Sequence, residues 1–211
     1  MRRISWERLA ALAGAMFVVL YIVAFALGIE AGQSDEEILA YYASSSHRAK
    51  EMVAFFCISG AALAFIVFAS ALRSLVARAE RETGLLAALA SAGGLAAGAL
   101  IFAGNATSRA TAFAAFEHDF TLDVDTRQLF ESAGYLLFVS AALAAILLVV
   151  AVSLASLRHG VFPRWLGWAG FVVAALLPLA IAFVGFLILV LWVIAVSVAL
   201  ALRGSRMPQP T

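Results

Sequence analysis

Apolar stretches of about 20 residues recur along this chain, separated by short polar segments. The first four lie at residues 9–29, 52–72, 85–104 and 133–157. About 20 consecutive apolar residues are enough to cross the hydrocarbon core of a bilayer as an α-helix. Each stretch therefore predicts one transmembrane helix. The triplet Ala24-Phe25-Ala26 also resembles a signal-peptide cleavage site, so a cleaved signal peptide is the alternative to a first span.

The last apolar stretch runs from Trp165 to Leu202 and contains no charged residue. A single helix over this stretch would be about 57 Å long, far more than a core of about 30 Å. Pro178 and Gly185 are available to break it, which predicts a tight turn between Leu177 and Gly185. Two spans follow, at residues 165–181 and 184–202, and the total becomes six.

Charged residues are sorted between the segments that connect these spans. The segments 1–8, 73–82, 157–164 and 203–211 hold 10 of the 14 Lys and Arg and 3 of the 13 acids. The segments 30–51 and 105–131 hold the other 10 acids and 4 bases. Because basic segments remain in the cytoplasm, this bias predicts that both termini are cytoplasmic.

The composition agrees with an all-α membrane protein. The chain is 64% hydrophobic and 13% charged, whereas a soluble domain averages about 25% charged residues. We interpret residues 1–206 as a single transmembrane domain, with 207–211 as a disordered tail. The arginines form no continuous stripe, which argues against nucleic-acid binding. The single cysteine, Cys57, excludes an intrachain disulfide.

The two long segments on the predicted outer side, 30–51 and 105–131, are expected to form a short helical cap. Ser34 and Glu37 have the spacing of a capping box, which predicts a helix start. Asp125 and Gln128 predict the start of the fourth span in the same way. The third span is expected to continue outward, and Arg109 and Arg127 could pair with the acids of the cap.

The third span is the richest in small residues and contains Gly94 and Gly98 in a GxxxG pattern. Small residues let helix backbones approach closely in lipid. We expect this helix at the centre of the bundle, and we favour packing within the bundle over homo-oligomerisation or a protein partner at the small-residue faces. Asn105, near the end of the span, is interpreted as a residue that caps it or lines a polar passage.

Candidate chemistry is sparse. No Asp, Glu, Lys or Arg lies in the middle of a span, which lowers the expectation of an ion-coupled transporter. No histidine lies within a span, which argues against haem, and no catalytic residue or cofactor site is indicated. The densest polar cluster is Glu117, His118 and Asp119, whose side chains are of metal-ligating types. We favour a solvated acidic face there, with an outer-face metal site as the alternative.

Three patterns accompany this architecture: residues 9–14 (LAALAG) after an arginine-rich start, residues 37–42 (EILAYY), and residues 162–168 (FPRWLGW). In these the chain resembles uncharacterised six-helix bacterial integral membrane proteins of the domain-of-unknown-function type. The resemblance implies an architecture only, and it provides no catalytic or binding residues.

The sequence therefore favours a multi-pass inner-membrane protein that is structural, accessory or lipid-interacting, with membrane lipids as its expected partners. Two alternatives remain open. One is a transporter or permeation component for a small molecule or lipid, and a polar cavity at mid-depth would favour it. The other is a metal-dependent enzyme on the outer face, which would need His118 to converge with neighbouring acids.

Overall fold

The computed structural model describes residues 6–27, 37, 41, 44–80, 84–114 and 124–204. These residues form helices and connecting turns, with no strand among them. The helices are α1 (Trp6–Leu27), α2 (Ser45–Glu80), α3 (Leu85–Ser108), the short α4 (Ala110–Ala114), α5 (Val124–His159), α6 (Arg164–Leu176), a 3-10 helix (Leu177–Ala182) and α7 (Val184–Gly204).

Six of these segments are long and apolar enough to cross a membrane, with the 3-10 helix completing the span of α6. All six predicted spans are therefore confirmed as helices. Helices α2 and α5 each contain 36 residues, or about 54 Å at 1.5 Å per residue, so both extend beyond a hydrocarbon core of about 30 Å.

The helices pack as a ring with two additions. Helix α1 lies against α2 and α7, while α5 contacts both α2 and α7 and so closes the ring. Helix α3 lies in the groove between α2 and α5, and α6 packs on α5. The N-terminus of α1 and the C-termini of α2, α5 and α7 meet at one end, which we call the basic end. The C-terminus of α1 and the N-termini of α2, α5 and α7 lie at the other end, which we call the opposite end.

Glycines allow α3 to approach both of its neighbours. A Cβ atom on Gly94 would lie 2.2 Å from the Cβ of Ala69 on α2, and one on Gly93 would lie 2.6 Å from the backbone nitrogen of Leu148 on α5. The prediction of close packing within the bundle is thus confirmed. The central position was wrong, because α3 has only two long neighbours and leaves Leu95 and other residues of one face uncovered.

The middle of the bundle is filled by apolar side chains. The aromatic rings of Phe17, Phe65 and Phe68 are buried there, with Phe17 and Phe65 5.2 Å apart between ring centroids. Buried alanines and valines of α2, α5 and α7 complete this core. The mid-depth region is therefore a packed apolar core.

The turn between the last two spans lies where the sequence predicted it. Pro178 lies in the first turn of the 3-10 helix, and Gly185 has no room for a side chain because a Cβ there would lie 2.5 Å from the backbone nitrogen of Ala180. The residue with left-handed backbone is Phe183, at φ 66°. Its side chain is a wall of the cavity described below, which accounts for a bulky residue at a position that favours glycine.

The two long loops meet at the opposite end. Tyr41 is buried against Ala112, with Val124 beside them. Helix α5 begins at Val124 with Asp125 in its first turn, as predicted. Most of the predicted cap, including Ser34, lies outside the described residues, as does the tail 207–211.

Candidate ligand cavity

A partly open cavity of about 240 Å³ lies near the opposite end of the bundle. Its walls come from α1, α2, α5 and α7, and the C-terminal continuation of α3 contributes Arg109. The lining residues are mostly aromatic or apolar: Tyr21, Ala24, Phe25, Ile58, Arg109, Tyr135, Phe138, Phe183 and Phe186. The ring of helices therefore leaves a space at this end, whereas its middle is packed.

Aromatic contacts hold the cavity wall in place. Phe183 stacks on Phe25 with ring centroids 5.4 Å apart, which joins the start of α7 to the end of α1. Phe186 makes edge-on contacts with Tyr135 at 6.4 Å and with Phe138 at 6.3 Å. Pairs in this distance range contribute about 0.5–1.5 kcal/mol beyond the burial of their surface. The wall is thus built from mutually packed rings on three helices.

Two tyrosine hydroxyls differ in their partners. The Tyr135 hydroxyl donates hydrogen bonds to the carbonyl oxygens of Ala180 and Ile181, at 2.9 and 3.1 Å, and so ties α5 to the turn before α7. Within the described part of the chain, no residue accepts a hydrogen bond from the Tyr21 hydroxyl. Tyr21 consequently offers the cavity a hydrogen-bond donor.

Arg109 supplies the positive charge at the edge of the cavity. Its guanidinium forms an ion pair with the Glu51 carboxylate, and the two side chains are 14% and 12% exposed. Its Nε also donates to the amide oxygen of Asn105 at 3.1 Å. The sequence placed Arg109 beside the acids of the cap, and the structure gives it a partner at the start of α2. Because the charge is paired, the cavity edge is polar but close to neutral.

Asn105 is fully buried and connects α2 to α3. Its Nδ2 donates to the carbonyl oxygen of Phe55 at 3.0 Å and to the Ser59 hydroxyl at 3.1 Å. The sequence interpretation of Asn105 as a cap or a passage-lining residue was wrong, because α3 continues to Ser108 and the side-chain amide nitrogen donates both of its hydrogen bonds to α2. Asn105 thereby positions Arg109, which follows it by one helical turn.

The arrangement is suited to holding an apolar molecule with a polar head. Small-molecule sites are concave, mostly apolar and aromatic, and contain a few placed polar groups. The cavity is slightly below the volume range of about 300–1,000 Å³ for such sites, so it suits a single hydrocarbon chain or a small ring. Tyr21 and Arg109 are the groups that would meet a hydrogen-bond acceptor.

The residues predicted as metal ligands, Glu117, His118 and Asp119, lie outside the described residues. Within the described part, no group of three or more His, Cys, Asp or Glu side chains is placed to hold a metal ion. His47, in the first turn of α2, stacks on the Tyr41 ring at 4.2 Å, and its Nδ1 lies 3.3 Å from the Tyr41 carbonyl oxygen. This histidine therefore has a structural contact with the residues that precede α2.

The chain matches no protein-family model, no curated protein and no solved structure.

Proposed function

We propose that this chain is a lipid-interacting protein of the bacterial inner membrane, which binds a single-chain or small-ring amphiphile in the aromatic cavity. The observation that supports the proposal is the cavity itself, an aromatic chamber with a paired arginine at its edge and a tyrosine hydroxyl that has no acceptor among the described residues. The ligand would place its apolar part among the phenylalanines and direct a hydrogen-bond acceptor toward Tyr21 or Arg109.

The orientation in the membrane is part of the same proposal. The charge bias of the connecting segments favours both termini in the cytoplasm. The basic end would then face the cytoplasm, and the cavity would lie in the outer leaflet. A ligand would enter from that leaflet or from the periplasm.

Binding is better supported than permeation. A transport pathway needs polar or hydrated surface at mid-depth, whereas this depth contains the packed rings of Phe65 and Phe68. The cavity therefore ends against a packed, largely apolar core. The alternative of a metal-dependent enzyme has no supporting observation among the described residues.

Ligand retention tests the proposal. The protein would be purified in nanodiscs with native membrane lipids and released for native mass spectrometry. Wild type is expected to carry a bound molecule of defined mass. Filling the cavity by Ala24→Phe is expected to abolish this adduct, because Ala24 is 1% exposed and lines the cavity.

A matched variant separates loss of the cavity from general disturbance of α1. Ala26 lies on the same helix and is exposed, so Ala26→Phe should retain the ligand and the wild-type unfolding temperature. Oleate and oleyl alcohol then serve as probes of the head group. Tyr21→Phe should weaken the preferred probe roughly 2- to 12-fold, the value of one hydrogen bond of about 0.5–1.5 kcal/mol. A bare wild-type protein, or an adduct unchanged in folded Ala24→Phe, refutes the proposal.

A further inference from the structure

The basic end carries two grooves that share Arg203 as a wall. The first, which we call the charged groove, has a volume of about 500 Å³ and lies among α1, α2, α5 and α7; its lining includes Glu7, Leu75, Arg78, His159, Leu200 and Arg203. The second, the apolar groove, measures about 510 Å³ between α6 and α7 and is lined by Pro163, Trp165, Val198, Leu202 and Arg203 among others.

Arg203 is held at the boundary between the grooves by the loop that joins α5 to α6. Its guanidinium donates to the carbonyl oxygen of Val161, and its central carbon lies 5.1 Å from the centroid of the Phe162 ring. Val161 and Phe162 are themselves buried, which anchors the contact. A guanidinium has five N–H donors, and the bond to Val161 is the only hydrogen bond that the described residues accept from Arg203. The remaining N–H groups of Arg203 have no acceptor among the residues that the structure describes, and they border the grooves.

The charged groove has an excess of basic groups. Arg78 and His159 are exposed on opposite walls and face the same space as Arg203. Glu7 is the one acid among its described lining residues, and it forms no ion pair with Arg78 or Arg203. Among the described lining residues, two arginines therefore stand against one carboxylate, with a histidine beside them.

This combination matches the parts of an anionic phospholipid. Arginine binds phosphate through parallel N–H···O bonds, and basic pockets between transmembrane helices at the cytoplasmic side bind anionic head groups. The apolar groove begins beside Trp165, which is 62% exposed, and tryptophan is enriched at the head-group level of membranes. We propose that Arg78 and Arg203 bind the phosphate of an anionic phospholipid whose acyl chain lies in the apolar groove between α6 and α7.

The site is separate from the aromatic cavity in position and in chemistry. It lies at the other end of the bundle, shares no lining residue with the cavity, and selects by charge. The two proposals can consequently fail independently.

Lipid selectivity in nanodiscs tests the site. The probes are phosphatidylglycerol and phosphatidylcholine with the same acyl chains, and the bound lipid is counted by native mass spectrometry. Wild type is expected to retain phosphatidylglycerol preferentially. Arg78→Gln and Arg203→Gln should each reduce that preference about fivefold, since one arginine near an anionic membrane surface contributes about 1 kcal/mol. Arg158→Gln is the control, because Arg158 is exposed at the same end and lines neither groove.

The outcomes are distinct. A selective loss in the Arg78 and Arg203 variants, with Arg158→Gln unchanged, supports the site. Equal retention of the two lipids by wild type, or an equal loss in all three variants, overturns it. Binding of inorganic phosphate by a wild-type protein that retains no phosphatidylglycerol also overturns it, because the groove would then recognise free phosphate. If Arg203→Gln fails to fold, Arg78→Gln decides alone, since Arg78 is exposed.

Discussion

Replacing Asn105 by leucine should destabilise the bundle more than any other single polar substitution near the cavity. The change removes two donated bonds to α2 and leaves the Arg109 Nε without its acceptor. Interhelical hydrogen bonds in membranes average about 0.6 kcal/mol, whereas a bond to a charged group contributes about 1.5–3 kcal/mol. We therefore expect the free energy of unfolding to fall by about 3–4 kcal/mol.

Reversible unfolding in mixed detergent micelles, followed by circular dichroism, measures this loss. Ser140→Ala is the control, because Ser140 is exposed and, among the described residues, bonds to the Leu136 carbonyl of its own helix alone; its effect should be below about 0.5 kcal/mol. A double-mutant cycle with Ser59→Ala should give a coupling energy of about 0.6–1.7 kcal/mol. A loss below about 1 kcal/mol for Asn105→Leu, or zero coupling, would show that the amide does not join α2 to α3.

Three further changes test other parts of the fold. Gly94→Leu should lower the free energy of unfolding by roughly 1–3 kcal/mol or more, because the larger side chain overpacks against α2. Ala92→Leu, on the uncovered face of α3, is the control and should be near neutral. Equal free energies of unfolding for the two variants would contradict the close approach of α3 to α2. Glu80→Ala removes the carboxylate that accepts hydrogen bonds from the backbone N–H groups of Leu86 and Ala87, at 3.0 and 3.1 Å in the first turn of α3. Hydrogen exchange at the Leu86 amide should therefore accelerate. Unchanged exchange would exclude Glu80 as the cap of this helix. Phe183→Gly should be more stable than Phe183→Ala by about 1 kcal/mol because only glycine is unstrained at this positive φ, and the reverse order would contradict the left-handed turn.

The helices were predictable because a bilayer of fixed thickness requires an apolar stretch of about 20 residues for each transmembrane helix. The turn near Pro178 followed from the same constraint, since one helix could not contain the whole apolar stretch. Hydropathy reports only the apolar part of a helix, so it missed the extensions of α2 and α5 beyond the core. The position of α3 was also missed, because glycines indicate how closely a helix packs and not how many neighbours surround it.

The aromatic cavity could not be predicted, because no helix contributes more than three lining residues and these are of ordinary apolar or aromatic types. Tyr21 and Phe183 are far apart in sequence, and nothing in their local patterns distinguishes them from lipid-facing residues. One local signal was available at the cavity edge. Asn105 and Arg109 are four residues apart and therefore share a helix face, which points to a joint polar role beneath the cap. Their partner Glu51 becomes identifiable only when α2 is placed beside α3.

The contact between α1 and α7 has a consequence for synthesis. The first and last spans contact each other in the ring, and Phe183 and Phe186, at the start of the last span, complete the aromatic wall. Until the last helix is inserted, α1 lacks its contact with α7, and the cavity lacks the wall that these two phenylalanines provide. The cavity comes into existence only when α7 docks beside α1. A ligand that binds there would therefore recognise finished molecules and leave partly inserted ones unoccupied.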